Sequence, residues 1–253
     1  MSAPIFGPEG RAALEHFLAA PTLLAFDYDG TLAPIRRDRN GAQMRGRTHS
    51  LLSLVSRAYP CAVISGRSEP DLRRRLQGVP LVGLVGNHGI EPEGTRRAYP
   101  DLVRRWLTGL RSELEGVEGV DLEDKRFSLS IHYRNAPHVQ SAARQISRVA
   151  RRLADARLIP GKRVVNVVPL GAPNKADAVA RMARRIRCTG AIFLGDDATD
   201  EDVFSMRSLP VLGIRVGRST RSAAPFHLRS QTEIDDFLEY LLAPRSSLAS
   251  SSS

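Results

Sequence analysis

Asp27 and Asp29 lie two residues apart behind the apolar run Leu23-Leu24-Ala25-Phe26. In an extended backbone that spacing sends both carboxylates to one side and Tyr28 to the other. Neighbouring carboxylates repel, so one pKa rises strongly unless a cation intervenes, and a divalent metal removes that cost. By itself the pair reads equally as a strand-end turn, where Asp and Gly are common. A second acidic run, Gly195-Asp196-Asp197-Ala198-Thr199-Asp200-Glu201-Asp202, puts five carboxylates within seven residues behind Ala191-Ile192-Phe193-Leu194. Two acidic strand ends on one sheet edge make a hard, oxygen-rich site suited to Mg²⁺. A phosphate site also needs donors. Ser65 and the backbone around Gly66 stand behind a third apolar run, Cys61-Ala62-Val63-Ile64. Lys175 follows Asn174 at the start of a helical pattern, where the helix dipole disfavours a cation. That placement points to a partner, a carboxylate or a phosphate.

Such residues need a frame that gathers the ends of separate strands. The runs 23–26, 61–64, 81–85, 191–194 and 211–216 are short, apolar and bounded by turn residues, as buried parallel strands are. Helical patterns over 9–20, 47–58, the stretch up to Leu76, 175–186 and 232–242 alternate with them. Alternation of this kind predicts an α/β, Rossmann-like parallel sheet with helices on both faces, and ligands bound outside the carboxyl ends of its strands. The middle of the chain differs. Phe127 to Tyr133 alternates apolar and polar residues, which predicts a half-buried antiparallel strand. A helix over 138–154 and a strand over 163–168 complete a small α/β layer. The expected organisation is a catalytic core from 1–91 and 171–245, an inserted layer from 92–170, and a serine-rich, disordered tail from 246–253. Pro92, Pro169, Gly171 and Pro173 mark the expected hinges.

Taken together, Asp27-Tyr28-Asp29-Gly30-Thr31, Ser65-Gly66-Arg67, Lys175 and Gly195-Asp196-Asp197 resemble the four motifs of the haloacid dehalogenase-like phosphatases, in order and spacing, over almost the whole chain. The resemblance implies roles. Asp27 attacks phosphorus. Asp29 protonates the leaving oxygen and then activates water. Ser65 and Lys175 hold phosphoryl oxygens, with Gly66 and Arg67 beside them at the substrate. Asp27, Asp29 through its backbone, and Asp196 bind Mg²⁺, with Asp200 in support. Phosphoryl transfer mainly needs positioning and charge neutralisation, which agrees with such a set.

A narrower resemblance rests on Gly86-Asn87-His88-Gly89, Glu123-Asp124-Lys125 with Ser128, His132-Tyr133-Arg134, and the 196–202 stretch with Phe204. These are similar to the trehalose-6-phosphate phosphatases, whose inserted layer is a cap over the core. That family implies sugar contacts for Glu123, Lys125, Arg134 and Lys162. Its second Lys is partnered by Glu, whereas this chain has Asn166. An amide still bonds a hydroxyl, without the strength of a carboxylate. The sugar therefore stays open between trehalose 6-phosphate and another glycosyl phosphate, of sucrose or glucosylglycerate type. A non-catalytic sugar-phosphate-binding regulator is the other alternative, and the presence of both Asp27 and Asp29 argues against it. His88 reads as structural, and Trp106 as packing a cap helix on its sheet.

Composition excludes little and agrees with the rest. The net charge is +10, carried almost wholly by arginine, since Lys125, Lys162 and Lys175 are the three lysines. The arginines recur in pairs on helical patterns rather than as one block, and aromatics are 6%. No specific nucleic-acid partner is expected from that pattern. No apolar run reaches the ~18 residues of a membrane helix, and the N-terminus does not read as a secretory signal. A cytoplasmic protein with a small-molecule sugar-phosphate partner is expected. Cys61 and Cys188 are too few for a disulfide framework or a four-cysteine zinc site.

Overall fold

A computed structural model describes residues 2–36, 41–93 and 95–243. The serine-rich tail expected over 246–253 lies outside the described residues. In chain order the strands are β1 (Ala3–Pro4), β2 (Thr22–Phe26), β3 (Cys61–Ile64), β4 (Gly83–Val85), β5 (Asp121–Asp124), β6 (Leu129–His132), β7 (Ala156–Gly161), β8 (Val164–Pro169), β9 (Gly190–Gly195), β10 (Val211–Val216) and β11 (Phe226–Leu228). The main helices are α1 (Pro8–Leu18), α2 (Gly46–Ala58), α3 (Glu69–Arg75), α4 (Ala98–Glu113), α5 (Val139–Ala150), α6 (Lys175–Arg185), α7 (Glu201–Phe204) and α8 (Ile234–Leu242).

Seven strands form one parallel sheet in the order β1-β11-β10-β9-β2-β3-β4. Its central strands are buried on both faces, so they are continuously apolar. Period-two alternation then sorts their side chains between two cores. Leu24, Phe26, Val63, Ile192 and Leu194 pack with α1, α2 and α8 on one face. Leu23, Ala25, Ala62, Ala191 and Phe193 pack with α6 and α7 on the other. β2 is flanked by β9 on one side and β3 on the other. The three motif-bearing strands thus lie next to one another.

The other four strands form an antiparallel sheet in the order β5-β6-β8-β7. Leu129, Ile131, Val165 and Val167 turn to α4 and α5, where they meet Val103, Trp106, Leu110 and Ile146. Trp106 Nε1 donates to the Ala154 carbonyl at 3.0 Å. The opposite face carries Asp121, Glu123, His132 and Asn166, and it looks onto the carboxyl ends of the parallel strands. The alternation over 127–133 predicts a strand wet on its polar side. Instead Ser130 is fully buried, because the core covers that face. The β4 strand is shorter than the apolar run 81–85, since Leu81 and Val82 precede the first ladder pair. Among the described residues, no helix is long and apolar enough to cross a membrane.

Candidate active site

The chain leaves β2 at Phe26, and Asp27 N–H still donates to the Leu194 carbonyl of β9 at 2.8 Å. This bond sets the two acidic strand ends side by side. Tyr28 falls into the α1/α2 core, fully buried, and leaves Asp27 on the α6 side. Gly30 has φ +87°, and a Cβ there would stand 2.3 Å from the Asp196 carboxylate carbon. Glycine is therefore what lets the two acidic loops close on each other.

Lys175 is the first residue of α6, fixed by a reciprocal cap between Asn174 and Asp177. Its ammonium is buried and bonds Asp27 Oδ1 at 2.9 Å and Asp200 Oδ1 at 2.7 Å. Burial pulls its pKa down, but Asp200 and Asp27 outweigh burial and the net shift is upward, so the lysine stays charged. Burial raises Asp27 well above the ordinary carboxylate range; Lys175 opposes this, and Asp200 and Asp196 reinforce it. Asp196 is raised to about 6, chiefly by burial, with Lys162 opposing. A divalent cation would reverse these upward shifts.

Among the described residues, Asp27, Asp196 and Asp200 bring carboxylate oxygens within 4.8 Å of one another. Asp196 Oδ1 is buried with no hydrogen-bond partner among the described residues. An orphaned carboxylate oxygen within a hard oxygen donor set fits a divalent metal. The Asp29 side chain lies outside that trio. Arg67 grips it in a fork, Nε to Oδ2 and Nη2 to Oδ1, both at 2.7 Å, while its Nη1 holds Asp71 at 2.8 Å. The structure thus places Arg67 on Asp29, stacked over the Tyr28 ring at 5.4 Å.

A cavity of about 800 Å³ lies between the two sheets. Core residues Asp27, Asp29, Ser65, Gly66, Arg67, Lys175 and Asp196 line it from below. Residues Glu123, Lys125, Arg134, Lys162 and Asn166 line it from above. Of the expected site residues, Asp200 alone is set back from this cavity, fully buried beneath Lys175. All three lysines of the chain converge here. Lys125 Nζ donates to the Gly66 carbonyl at 3.0 Å and lies 3.8 Å from Glu123. Lys162 Nζ bonds Asp196 Oδ2 at 2.9 Å. Arg134 donates to the carbonyls of Arg36 and Lys162 at 2.8 and 3.1 Å. Asn166 Oδ1 accepts from Ser130 at 2.6 Å.

Other contacts at the site escaped the sequence reading. Arg215, next to last in β10, donates to the Asp196 carbonyl at 2.6 Å and to Glu201 at 3.0 Å, bracing the acidic loop. A charge inside the apolar run 211–216 was its signal. His132 Nε2 pairs with Glu123 at 2.9 Å. Asn87 donates to Glu91 and to the Lys125 carbonyl and accepts from Ser128, tying the turn after β4 to the antiparallel sheet.

Comparison with known proteins agrees with this geometry. The family model "Trehalose-phosphatase" matches residues 25–231. A trehalose-phosphate phosphatase of Mycobacterium avium is 33% identical over 240 residues, which cover 85% of this chain and 61% of the relative. The chain thus spans less than two thirds of that relative's length. The C-terminal domain of Candida albicans trehalose-6-phosphate phosphatase superposes with a TM-score of 0.78 at 23% identity, covering 95% of this chain and 98% of that domain. A Bacteroides thetaiotaomicron phosphatase of the haloalkanoate superfamily superposes with a TM-score of 0.60 at 14% identity, covering 88% of this chain and 95% of that chain, a likeness of fold. The model match runs from inside β2 to just short of α8, through both sheets and every residue that lines the cavity, and the chain belongs to the trehalose-phosphatase family.

Proposed function

We propose that this protein is a Mg²⁺-dependent phosphatase that hydrolyses trehalose 6-phosphate to trehalose and phosphate. The observation that carries the reading is the single cavity with carboxylates and Lys175 on its floor and Glu123, Lys125, Arg134 and Asn166 on its roof. A floor of that kind suits phosphoryl transfer, and a polar roof suits a sugar.

Asp27 forms a bond to phosphorus while the phosphorus–oxygen bond to the sugar breaks. Asp29 takes up a proton from solvent as it leaves the Arg67 fork, passes it to the departing sugar oxygen, and then takes a proton from water. That water attacks phosphorus, which frees Asp27 and releases inorganic phosphate. Ser65 and Lys175 hold phosphoryl oxygens during both steps. Asp27, Asp196 and the Asp29 backbone would hold Mg²⁺, which neutralises charge on the transferring group when bound. Lys175 bonds both Asp27 and Asp200, so it fixes the nucleophile and the acidic loop in one register.

A second reading, hydrolysis of another glycosyl phosphate, is favoured by Asn166 alone. The test is phosphate release across a panel of sugar phosphates, with Mg²⁺ and with chelator. Preference for trehalose 6-phosphate, lost on chelation, supports the proposal. Undiminished turnover in excess chelator, with no metal held, contradicts the metal assignment, and strong preference for another sugar favours the second reading.

A further inference from the structure

His88 lines the same cavity and has no part in the steps above. It is 7% exposed and lies in the turn after β4, at φ 59°. Its backbone N–H donates to the Ser65 carbonyl at 2.9 Å. Its ring fills the space beside Gly66, where a Cβ would stand 2.4 Å from His88 Cε1. The missing side chain of Gly66 is what admits the imidazole.

Both ring nitrogens are buried, and neither makes a hydrogen bond of good geometry among the described residues, although the Asn166 side chain comes near the ring. Burial, then Lys125 just past β5, then Lys175 of α6, hold the ring well below its ordinary pKa; the nearby Asn166 side chain opposes them as a hydrogen-bonding group, and Arg157 of β7 adds to them. The ring is therefore neutral and presents one N–H and one lone pair. Leaving them without well-formed bonds in a buried place is costly. A phosphoryl oxygen only accepts and would leave the lone pair unpaired. A metal is repelled by the surrounding cations. A hydroxyl both donates and accepts, so sugar hydroxyls satisfy the ring.

We propose that His88 is a specificity-determining residue that binds a sugar hydroxyl close to the phosphoester. This rests on the glycosyl-phosphate reading above. It places His88 between the phosphate-holding loop at Ser65 and the roof residue Asn166, where the sugar joins its phosphate.

The test compares the Mg²⁺-loaded parent with His88→Leu, which fills space without polarity, and His88→Asn, which keeps a donor and an acceptor. The readout is selectivity, kcat/KM for trehalose 6-phosphate divided by kcat/KM for p-nitrophenyl phosphate, which has no sugar. His88→Leu should lower that ratio by about ten- to hundredfold, the worth of one or two buried hydrogen bonds. His88→Asn should recover part of it. Should His88→Leu not fold, a ratio for His88→Asn between parent and about a tenth of parent carries the same conclusion. A ratio unchanged in the variants that fold, with trehalose 6-phosphate hydrolysed by the parent, overturns the assignment of His88 alone. A parent that hydrolyses p-nitrophenyl phosphate and no sugar phosphate overturns the glycosyl-phosphate reading itself.

Discussion

Lys162 Nζ lies 2.9 Å from Asp196 Oδ2, so the β7–β8 turn reaches across the cavity to a candidate metal ligand. The lysine side chain is 61% exposed and that of Asp196 is 8% exposed. An ammonium at that oxygen competes with a divalent cation for the same carboxylate. Lys162→Met should therefore bind Mg²⁺ more tightly in the absence of sugar phosphate, by no more than about fivefold given the exposure. Titration calorimetry on the two metal-free proteins measures this. Weaker Mg²⁺ binding by the variant would show that the lysine assists the site rather than competing for it.

Lys175 is the counterion of two buried carboxylates, Asp27 and Asp200. Removing one partner of a buried pair leaves uncompensated charge and costs about 3–5 kcal/mol. Lys175→Met should lose about that much stability in the metal-free protein, and adding Asp200→Asn should return part of it. Denaturant unfolding of the single and double variants decides the matter. Additive losses would mean that the contact contributes no coupling.

His88 sets a pH dependence whose sign follows from its depressed pKa. The unfolded chain takes up a proton near about pH 6.5, while the folded ring resists it. Stability from this group is complete above that pH and declines as pH falls toward the folded value. Asp27 and Asp196, with raised values, work the other way. Thermal unfolding of the parent minus that of His88→Asn isolates the histidine. The difference should shrink between about pH 7 and about pH 5. A difference that is flat with pH would mean that the ring titrates normally in the fold.

Asn166 is 6% exposed and its amide oxygen is occupied by Ser130. A carboxylate there accepts the same hydroxyl and adds a charge-assisted bond to the sugar. Asn166→Glu should raise kcat/KM for trehalose 6-phosphate by up to about tenfold. It should also draw Lys162 from Asp196. Steady-state kinetics on trehalose 6-phosphate and one rival glycosyl phosphate provide the check. A parent that prefers the rival, with Asn166→Glu damaging that activity, would favour the second reading.

The parallel core was legible because its strands are buried on both faces. Leu23–Phe26, Cys61–Ile64 and Ala191–Leu194 are unbroken apolar runs, each halted by a polar motif. Strands lacking that signal went unseen. β7 reads Ala-Arg-Leu-Ile-Pro-Gly and lies at an edge, where Pro160 is tolerated. β11 has three residues and pairs β1, which has two. At the site, residue type and order pointed to Asp27, Asp29, Ser65, Lys175 and Asp196. Which atoms each would touch was not legible. Arg67 turning to Asp29 and Lys162 to Asp196 depend on how two sheets face each other. The burial of His88 depends on Gly66, a relation between distant turns that no local pattern encodes.

In the proposed reaction Asp27 takes the phosphoryl group from trehalose 6-phosphate. Rapid acid quench of the Mg²⁺-loaded protein during turnover, followed by peptide mass spectrometry, tests it directly. One phosphoryl group is expected on the peptide containing Asp27, present on the turnover timescale and absent in Asp27→Asn, which should release phosphate only at background. Hydrolysis of trehalose 6-phosphate by Asp27→Asn near the parent rate, with no phosphopeptide in either protein, would contradict it.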